Sequence, residues 1–105
     1  MDVKQFVKRQ IAFSEGAFGH GYRTRGIISH ILCECVEVLS EPSAEEWADL
    51  VLLSLDGLQR RCKYTNPDAH ATKVEDILLN VLCRNEKRKW PKPESEDHPV
   101  FHKRT

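Results

Sequence analysis

The feature that most constrains this chain is a pair of apolar stretches with helical spacing, separated by only three residues. The first is predicted to form a helix from Thr24 to Ser40, and the second a helix from Ala44 to about Arg61. Pro42 ends the first helix because proline disfavours the helical conformation of the residue before it, and Ser43 is suited to cap the second. So short a connection predicts an antiparallel helical hairpin.

Two further segments flank this hairpin. The first dozen residues have weak helical spacing, and the glycine-rich and aromatic stretch 13–22 that follows them is predicted to be a structured loop. Asn66 followed by Pro67 predicts the start of a fourth helix that runs to about Lys89. Since no strand-like alternation and no internal repeat is present, the expected fold class is all-α, a compact four-helix bundle.

Length and composition limit the function classes. With 105 residues the chain is expected to form a single domain over residues 1–105, with an extended tail over about residues 90–105. Apolar runs of bilayer length and a secretory-type N-terminus are absent, so we expect a cytoplasmic protein with no membrane partner. The formal net charge is zero, which is not typical of a protein that binds duplex nucleic acid.

The charges are unevenly distributed along the chain. Between Gly26 and Gln59 there is no lysine or arginine, and the basic residues lie in the flanking segments. This pattern indicates a cation-binding centre bordered by groups that bind anions. The acidic residues of this stretch are Glu34, Glu37, Glu41, Glu45, Glu46, Asp49 and Asp56.

Four of these acids are predicted to face one another across the hairpin. Glu34 and Glu37 are three residues apart and therefore share a face of the first helix, and Glu46 and Asp49 have the same spacing on the second. Residues equidistant from an antiparallel turn lie opposite each other, so Glu37 should face Glu46 and Glu34 should face Asp49. Carboxylates converging in this way repel one another strongly unless cations neutralise them.

The ligand chemistry favours hard divalent ions. Carboxylate oxygens without thiolates or several histidines suit Mg²⁺ or Mn²⁺, which can activate water and bind a polyphosphate. A di-iron carboxylate bundle would need Glu-x-x-His pairs, and His30 with Glu34 has neither that order nor that spacing. Non-functional interpretations stay open: Glu46 can complete a capping box with Ser43, and the first acid pair can be an exposed acidic stripe.

The acid pairs also carry a family resemblance. The sequences E-C-V-E and E-W-A-D, separated by a short turn, resemble the E-x-x-E and E-x-x-D metal motifs of the MazG-like and dimeric dUTPase superfamily. More narrowly, F-S-E-G-A-F-G-H-G-Y-R, S-H-I, R-N-E-K-R-K-W-P and D-H-P-V-F-H-K resemble the dATP/dGTP pyrophosphohydrolase family, from about Phe13 to Lys103. The two metal motifs lie closer together than in MazG itself, which leaves the turn geometry and the number of metals open.

This resemblance implies a function. Members hydrolyse a purine deoxynucleoside triphosphate to the monophosphate and pyrophosphate, by attack of a metal-activated water on the α-phosphorus, and they work as dimers or tetramers. Phage members are associated with supplying dGMP for 2-aminoadenine genomes, and this chain could be one of them, in which case its location would be the host cytoplasm. Two or three ions per site are expected, and one glutamate can act as general base. The catalytic and metal-binding residues carried over from the family are Glu34, Glu37, Glu46 and Asp49.

Several other residues are candidates for substrate binding. His30 lies one turn before Glu34, so it can orient that carboxylate, touch a phosphate or be a purely structural histidine. Arg25, Arg84 and Arg88 match polyphosphate oxygens chemically, although solvated surface charge is the commoner role of such residues.

Asn85, Trp90 and Asp56 allow more than one interpretation each. The first two fall in the R-N and W-P signatures of the family, and Trp90 can stack on a base or pack the tail onto the bundle. Asp56 follows Asp49 by two turns, and either supports the acids or ends the apolar run beside Gly57. The main alternative to an enzyme is a non-catalytic helical oligomerisation or interaction module, since fold and partial motif do not guarantee activity.

Overall fold

A computed structural model of the protein describes residues 1–63 and 65–103. It contains four α-helices and, within those residues, no named strand, which confirms the all-α fold class. None of the described helices is long and apolar enough to cross a bilayer. The helices are α1 (Val3–Phe18), α2 (Thr24–Ser40), α3 (Ala44–Arg61) and α4 (Pro67–Lys87).

The hairpin and the start of the last helix follow the sequence prediction. The bounds of α2 and α3 are those expected, and the Ser43 hydroxyl accepts a hydrogen bond from the backbone N–H of Glu46 at 3.2 Å. Asn66 caps α4 by accepting from the backbone N–H groups of Asp68 and Ala69. These caps satisfy donors that have no partner inside a helix, and they fix where each helix begins.

The prediction of a loop over residues 13–22 was wrong for its first part, because α1 continues to Phe18. Val7, Ile11 and Ser14 are buried in succession along one face of α1, so the helical stripe continues through a small polar residue. The helix ends at Gly19, whose φ of 79° is a conformation that glycine adopts without steric cost.

A buried polar network joins α1 to α3. Ser14, Asp56, Gln59 and Arg60 are each at most 4% exposed. Asp56 Oδ1 accepts hydrogen bonds from Ser14 Oγ, from Gln59 Nε2 at 3.0 Å and from Arg60 Nε at 3.0 Å. A buried ion pair is retained only when its polar atoms find partners, and this one has them from three side chains.

The same arginine fixes the loop between α1 and α2. Arg60 Nη1 donates to the carbonyl oxygens of Gly19 and Gly21 at 2.8 and 2.9 Å, and Arg60 Nη2 donates to Ser14 Oγ at 3.1 Å. Gly19 and Gly21 both have positive φ, so the loop turns sharply around the guanidinium. The network therefore sets the position of α1 relative to the start of α2.

The chain divides by its internal contacts into two units, Met1–Glu75 and Asp76–Thr105. In the first unit α3 packs on both α2 and α1, and His70 Nε2 lies 2.7 Å from the carbonyl oxygen of Gln59. The apolar core of this unit is small, so the buried polar groups form a large share of its interior. Its buried apolar residues are Val7, Ile11, Ile27, Val38, Cys62, Ala71 and Val74.

In the second unit the tail is not simply extended as expected. The backbone N–H of Lys103 donates to the carbonyl oxygen of Lys89 at 2.6 Å, so the tail folds back on itself. The Trp90 and His102 rings pack edge to face, with their ring centres 5.8 Å apart. Trp90 Nε1 donates a hydrogen bond to the Asn85 carbonyl oxygen at 2.7 Å. Trp90 therefore joins the tail to the end of α4. A single domain over residues 1–105 stays a prediction.

The Asp56–Arg60 pair should dominate the stability of the first unit. Replacing Arg60 by methionine leaves a buried carboxylate without its counter-ion and removes the loop anchor, so we expect Arg60→Met to lower the unfolding free energy by about 3–5 kcal/mol. Urea denaturation followed by circular dichroism measures this change. Arg25→Met, at an exposed position on α2, is the control and should change stability by less than about 0.5 kcal/mol. Equal losses in both variants would contradict the prediction.

Candidate functional site

The hairpin brings the predicted carboxylates together. The ligand oxygens of Glu34, from α2, and of Glu46 and Asp49, from α3, all lie within 4.8 Å of one another. Glu37 is exposed on α2, and its carboxylate is close enough to Glu34 and Glu46 to raise the pKa of both. Three acids therefore form a tight group, and the fourth lies at its exposed edge.

The electrostatics of this group favour neutralisation. Burial raises the pKa of Glu34, and the nearby carboxylates of Glu37 and Asp49 raise it further, while His30 opposes the rise. Burial likewise raises the pKa of Glu46, with additional contributions from Glu37, Glu34 and Asp49. Both shifts have the direction expected when negative charges are crowded together in a partly desolvated space.

Two oxygens in the group have no partner. Glu34 Oε2 and Glu46 Oε2 are buried, and neither has a hydrogen-bond partner among the residues that the structure describes. A buried acceptor left without a partner is destabilising, and a divalent cation bound by several carboxylate oxygens would remove that cost. The residues present therefore fit a hard divalent ion, and this all-oxygen set is not the nitrogen and sulphur set typical of zinc.

The other candidates near the acids differ in their environment. His30 Nε2 lies 3.4 Å from Glu34 Oε1, one turn away on α2, so it is placed to orient that carboxylate. Arg25 is exposed in the first turn of α2. Its role in binding phosphate stays a prediction.

The remaining predicted substrate-binding residues lie in the second unit. Arg88 Nη1 donates to Asn85 Oδ1 at 3.4 Å, and the Asn85 carbonyl oxygen accepts from Trp90. Arg84 is exposed on α4. These contacts give Asn85 and Trp90 a structural role in holding the tail, and a role of the four residues in substrate binding stays a prediction.

A pocket of about 320 Å³ adjoins the acids. This partly open pocket is lined by residues of α1, α2 and α3, so the carboxylates form one wall and aromatic residues of α1 another. The α1 residues were not predicted as site residues, although Phe13, Ser14 and Phe18 stand in the F-S-E-G-A-F motif that carries the family resemblance. The lining residues are Gln10, Phe13, Ser14, Phe18, His30, Glu34, Asp49, Leu52, Leu53 and Asp56.

Asp56 does more than end the apolar run beside Gly57, which was one of its two predicted roles. Its carboxylate is buried and hydrogen-bonded. Burial alone would raise the pKa of Asp56, yet hydrogen bonds from Ser14, Gln59 and Arg60 outweigh burial and hold it below the usual value. Asp56 is therefore an ionised carboxylate in the pocket wall at neutral pH.

Comparison with known proteins identifies a family. A family model described as dATP/dGTP pyrophosphohydrolase matches residues 6–104, which is nearly the whole chain. No curated protein and no solved structure gives a significant match. The family match covers both acid pairs and the pocket beside them.

Removing one charge from the acid group should stabilise the protein when divalent ions are absent. Because the pKa of Glu46 is raised by folding, ionisation of this group destabilises the fold as the pH rises above its ordinary value of 4.5. We therefore expect Glu46→Gln to have a higher melting temperature than the wild type at pH 7 in a chelator, and to lose that advantage at pH 4.

The control is Glu45→Gln, an exposed neighbour in the same first turn of α3. Both variants lose one acid near the positive end of the helix dipole, so a difference between them reports the acid group. Circular dichroism melts at both pH values provide the measurement. A melting temperature of Glu46→Gln at or below that of Glu45→Gln at pH 7 would contradict the expected repulsion.

Proposed function

Because this chain belongs to the dATP/dGTP pyrophosphohydrolase family, a family of hydrolases, we propose that it hydrolyses purine deoxynucleoside triphosphates at the acid group of the α2–α3 hairpin. The observation that carries this proposal is the convergence of carboxylates in which Glu34 Oε2 and Glu46 Oε2 are buried and have no hydrogen-bond partner in the described part of the chain. The products are the deoxynucleoside monophosphate and pyrophosphate. Water forms a bond to the α-phosphorus, and the bond from that phosphorus to the oxygen bridging to the β-phosphate breaks.

Glu34, Glu37, Glu46 and Asp49 would hold the ions. Divalent ions in this position supply charge neutralisation for the triphosphate and lower the pKa of water. The hard oxygen ligands support Mg²⁺ or Mn²⁺, and two or three ions per site remain part of the proposal. His30 supports the arrangement by holding Glu34 through the 3.4 Å contact with its carboxylate.

Glu37 is well placed for proton transfer. It is exposed at the edge of the acid group, so incoming water can reach it, whereas Glu34 and Glu46 are half-buried. We infer that one of the glutamates accepts the proton of the attacking water, and exposure favours Glu37 for this step. The pocket beside the acids offers space for the nucleoside part of the substrate, with Phe13 and Phe18 in its wall.

The alternative to an enzyme is a non-catalytic interaction module. Exposed apolar side chains on α2 and α3 favour association with another protein chain. On α2, Leu32, Val36 and Leu39 are 62%, 63% and 85% exposed and share one face of the helix. Trp47 and Val51 are exposed one turn apart on α3. So many large apolar side chains in water are unusual for a monomer, which supports a homo-oligomer, dimeric or tetrameric.

Substitution of Glu37 tests the hydrolase. Glu37→Gln keeps the shape of the side chain but removes one ligand charge and the proton acceptor, so turnover of dGTP and dATP should fall at least about a thousandfold. The helical circular dichroism should be unchanged because Glu37 is exposed. Release of monophosphate and pyrophosphate with Mg²⁺ or Mn²⁺, and its loss in EDTA, provide the assay.

Glu41→Gln is the matched control, since Glu41 is exposed at the C-terminal end of α2, one turn beyond Glu37. It should retain the activity of the wild type within about twofold. Full activity of Glu37→Gln would exclude the assignment of the four carboxylates. Absence of any turnover in the wild type, together with oligomerisation that needs no metal, would instead favour the interaction module.

Light scattering after size-exclusion chromatography tests the oligomer. We expect a mass that is two or four times the chain mass of 12.1 kDa, and Leu32→Lys should shift it towards 12.1 kDa by placing a charge on the apolar face. Ala12→Lys adds the same charge at an exposed position of α1, away from the apolar face of α2, and should leave the mass unchanged. A wild-type mass of 12.1 kDa at the concentration of the assay would rule out the oligomer.

A further inference from the structure

The pocket beside the acids has a polar inner wall that hydrolysis at the α-phosphorus does not explain. We propose that Asp56 is the specificity-determining residue for the base, accepting hydrogen bonds from the N1–H and 2-amino groups of guanine and thereby favouring dGTP over dATP. This inference rests on the proposed function, because it assumes that the triphosphate lies at the acid group. It adds a base-recognition site and a residue responsible for it.

The lining of the pocket suits a partly apolar ligand. The Phe13 and Phe18 rings line one side and stand edge to face, with ring centres 6.2 Å apart. Leu52 and Leu53 contribute apolar side chains to the lining from α3, beside the polar groups. Aromatic rings of this kind bind nucleobases by stacking, which is tolerant of base identity. The apolar walls therefore provide affinity for any base, and discrimination has to come from polar groups.

The polar groups at the inner wall are built into the fold. Ser14 and Asp56 are almost fully buried, and both line the pocket. Within the described residues, the Asp56 carboxylate accepts all its hydrogen bonds at Oδ1, and the donors are Ser14, Gln59 and Arg60. Oδ2 consequently keeps its acceptor capacity, while the three donors hold the carboxylate in one orientation. This is the rigid support that a recognition group requires.

The position of Asp56 along α3 matches the length of a nucleotide. Asp49, in the acid group, and Asp56 lie on the same helix two turns apart, which corresponds to about 10 Å along the helix axis. That separation is comparable with the reach from an α-phosphate across the sugar to the far edge of a purine. Both residues line the same pocket, so one ligand can contact both.

A carboxylate in this place distinguishes the two purines. Guanine presents two neighbouring donors, N1–H and the 2-amino group, to an acceptor that has only lone pairs. Adenine presents its 6-amino group beside an unprotonated N1, which repels a carboxylate. Recognition sites that hydrogen-bond a ligand reject analogues lacking the donors, because the buried acceptor is left without a partner. Hypoxanthine, which keeps N1–H and lacks the 2-amino group, should be intermediate.

A substrate series on the unmodified protein tests the proposal without any risk to folding. We expect kcat/KM with Mg²⁺ to fall in the order dGTP, dITP, dATP, with a loss of about tenfold or more between dGTP and dATP. Equal kcat/KM values for the three substrates would overturn it. A preference for dATP would overturn it equally.

Two variants then locate the preference. Asp56→Asn exchanges an oxygen acceptor for a donor amide, so it should reduce the ratio of kcat/KM for dGTP to that for dATP at least about tenfold. Ser14→Ala disturbs the same buried network but leaves the acceptor in place, and it should keep the ratio within about threefold. If Asp56 had only a structural role, Asp56→Asn would lower kcat/KM for both substrates equally and leave their ratio unchanged. That result would contradict the proposal.

Binding measurements separate this inference from the proposed function. Calorimetric titration of dGTP, dITP and dATP with Ca²⁺ in place of Mg²⁺ gives dissociation constants that do not require turnover. Tighter binding of dGTP that Asp56→Asn abolishes supports base recognition, even if no substrate is hydrolysed and the proposed function fails. Equal dissociation constants for the three nucleotides would overturn base recognition while leaving hydrolysis intact. If Asp56→Asn loses its helical circular dichroism, the kcat/KM values and dissociation constants of the wild type for dGTP, dITP and dATP test the proposal, and equal values would overturn it.

Discussion

Mutual repulsion among the carboxylates on α2 and α3 is the constraint on which the rest of this structure depends. Burial and crowding raise the pKa of Glu34 and Glu46, and one buried oxygen of each has no hydrogen-bond partner among residues 1–63 and 65–103. In water alone such an arrangement is unfavourable, and positive charge between the helices removes the penalty. The hairpin can hold it because the helices are joined by a short turn and because α3 also packs on α1.

Buried polar contacts carry the connection between fold and site. Arg60 binds Asp56 and both glycine carbonyls of the α1–α2 loop, so one guanidinium fixes the loop, the end of α1 and one wall of the pocket. The apolar core is small for this unit, and the network supplies order that apolar packing alone would not give. Its members therefore affect both stability and the geometry of the pocket.

Local chemistry made much of the fold predictable. Pro42 and Ser43 determine where α2 ends and α3 begins, and Asn66 with Pro67 determines the start of α4, because each acts on the backbone of residues next to it in the sequence. The prediction of a loop over residues 13–22 was wrong as far as Phe18, where α1 ends. The glycines and aromatic residues of this segment are typical of loops, and the polar Ser14 interrupts the apolar pattern of the buried face. Burial of that serine depends on Asp56, which lies 42 residues away in the sequence.

The sequence by itself determined α2, α3 and the start of α4, and it placed two acid pairs at equal distances from one turn, because helical periodicity and a short turn are local properties. It also determined the family, through motifs that extend over nearly the whole chain. Only the tertiary structure decided that α1 contributes a wall of the pocket and that Asp56 is buried there with Ser14 and Arg60. Those contacts join residues far apart in the chain, and the pairing of distant side chains has no signature in local spacing.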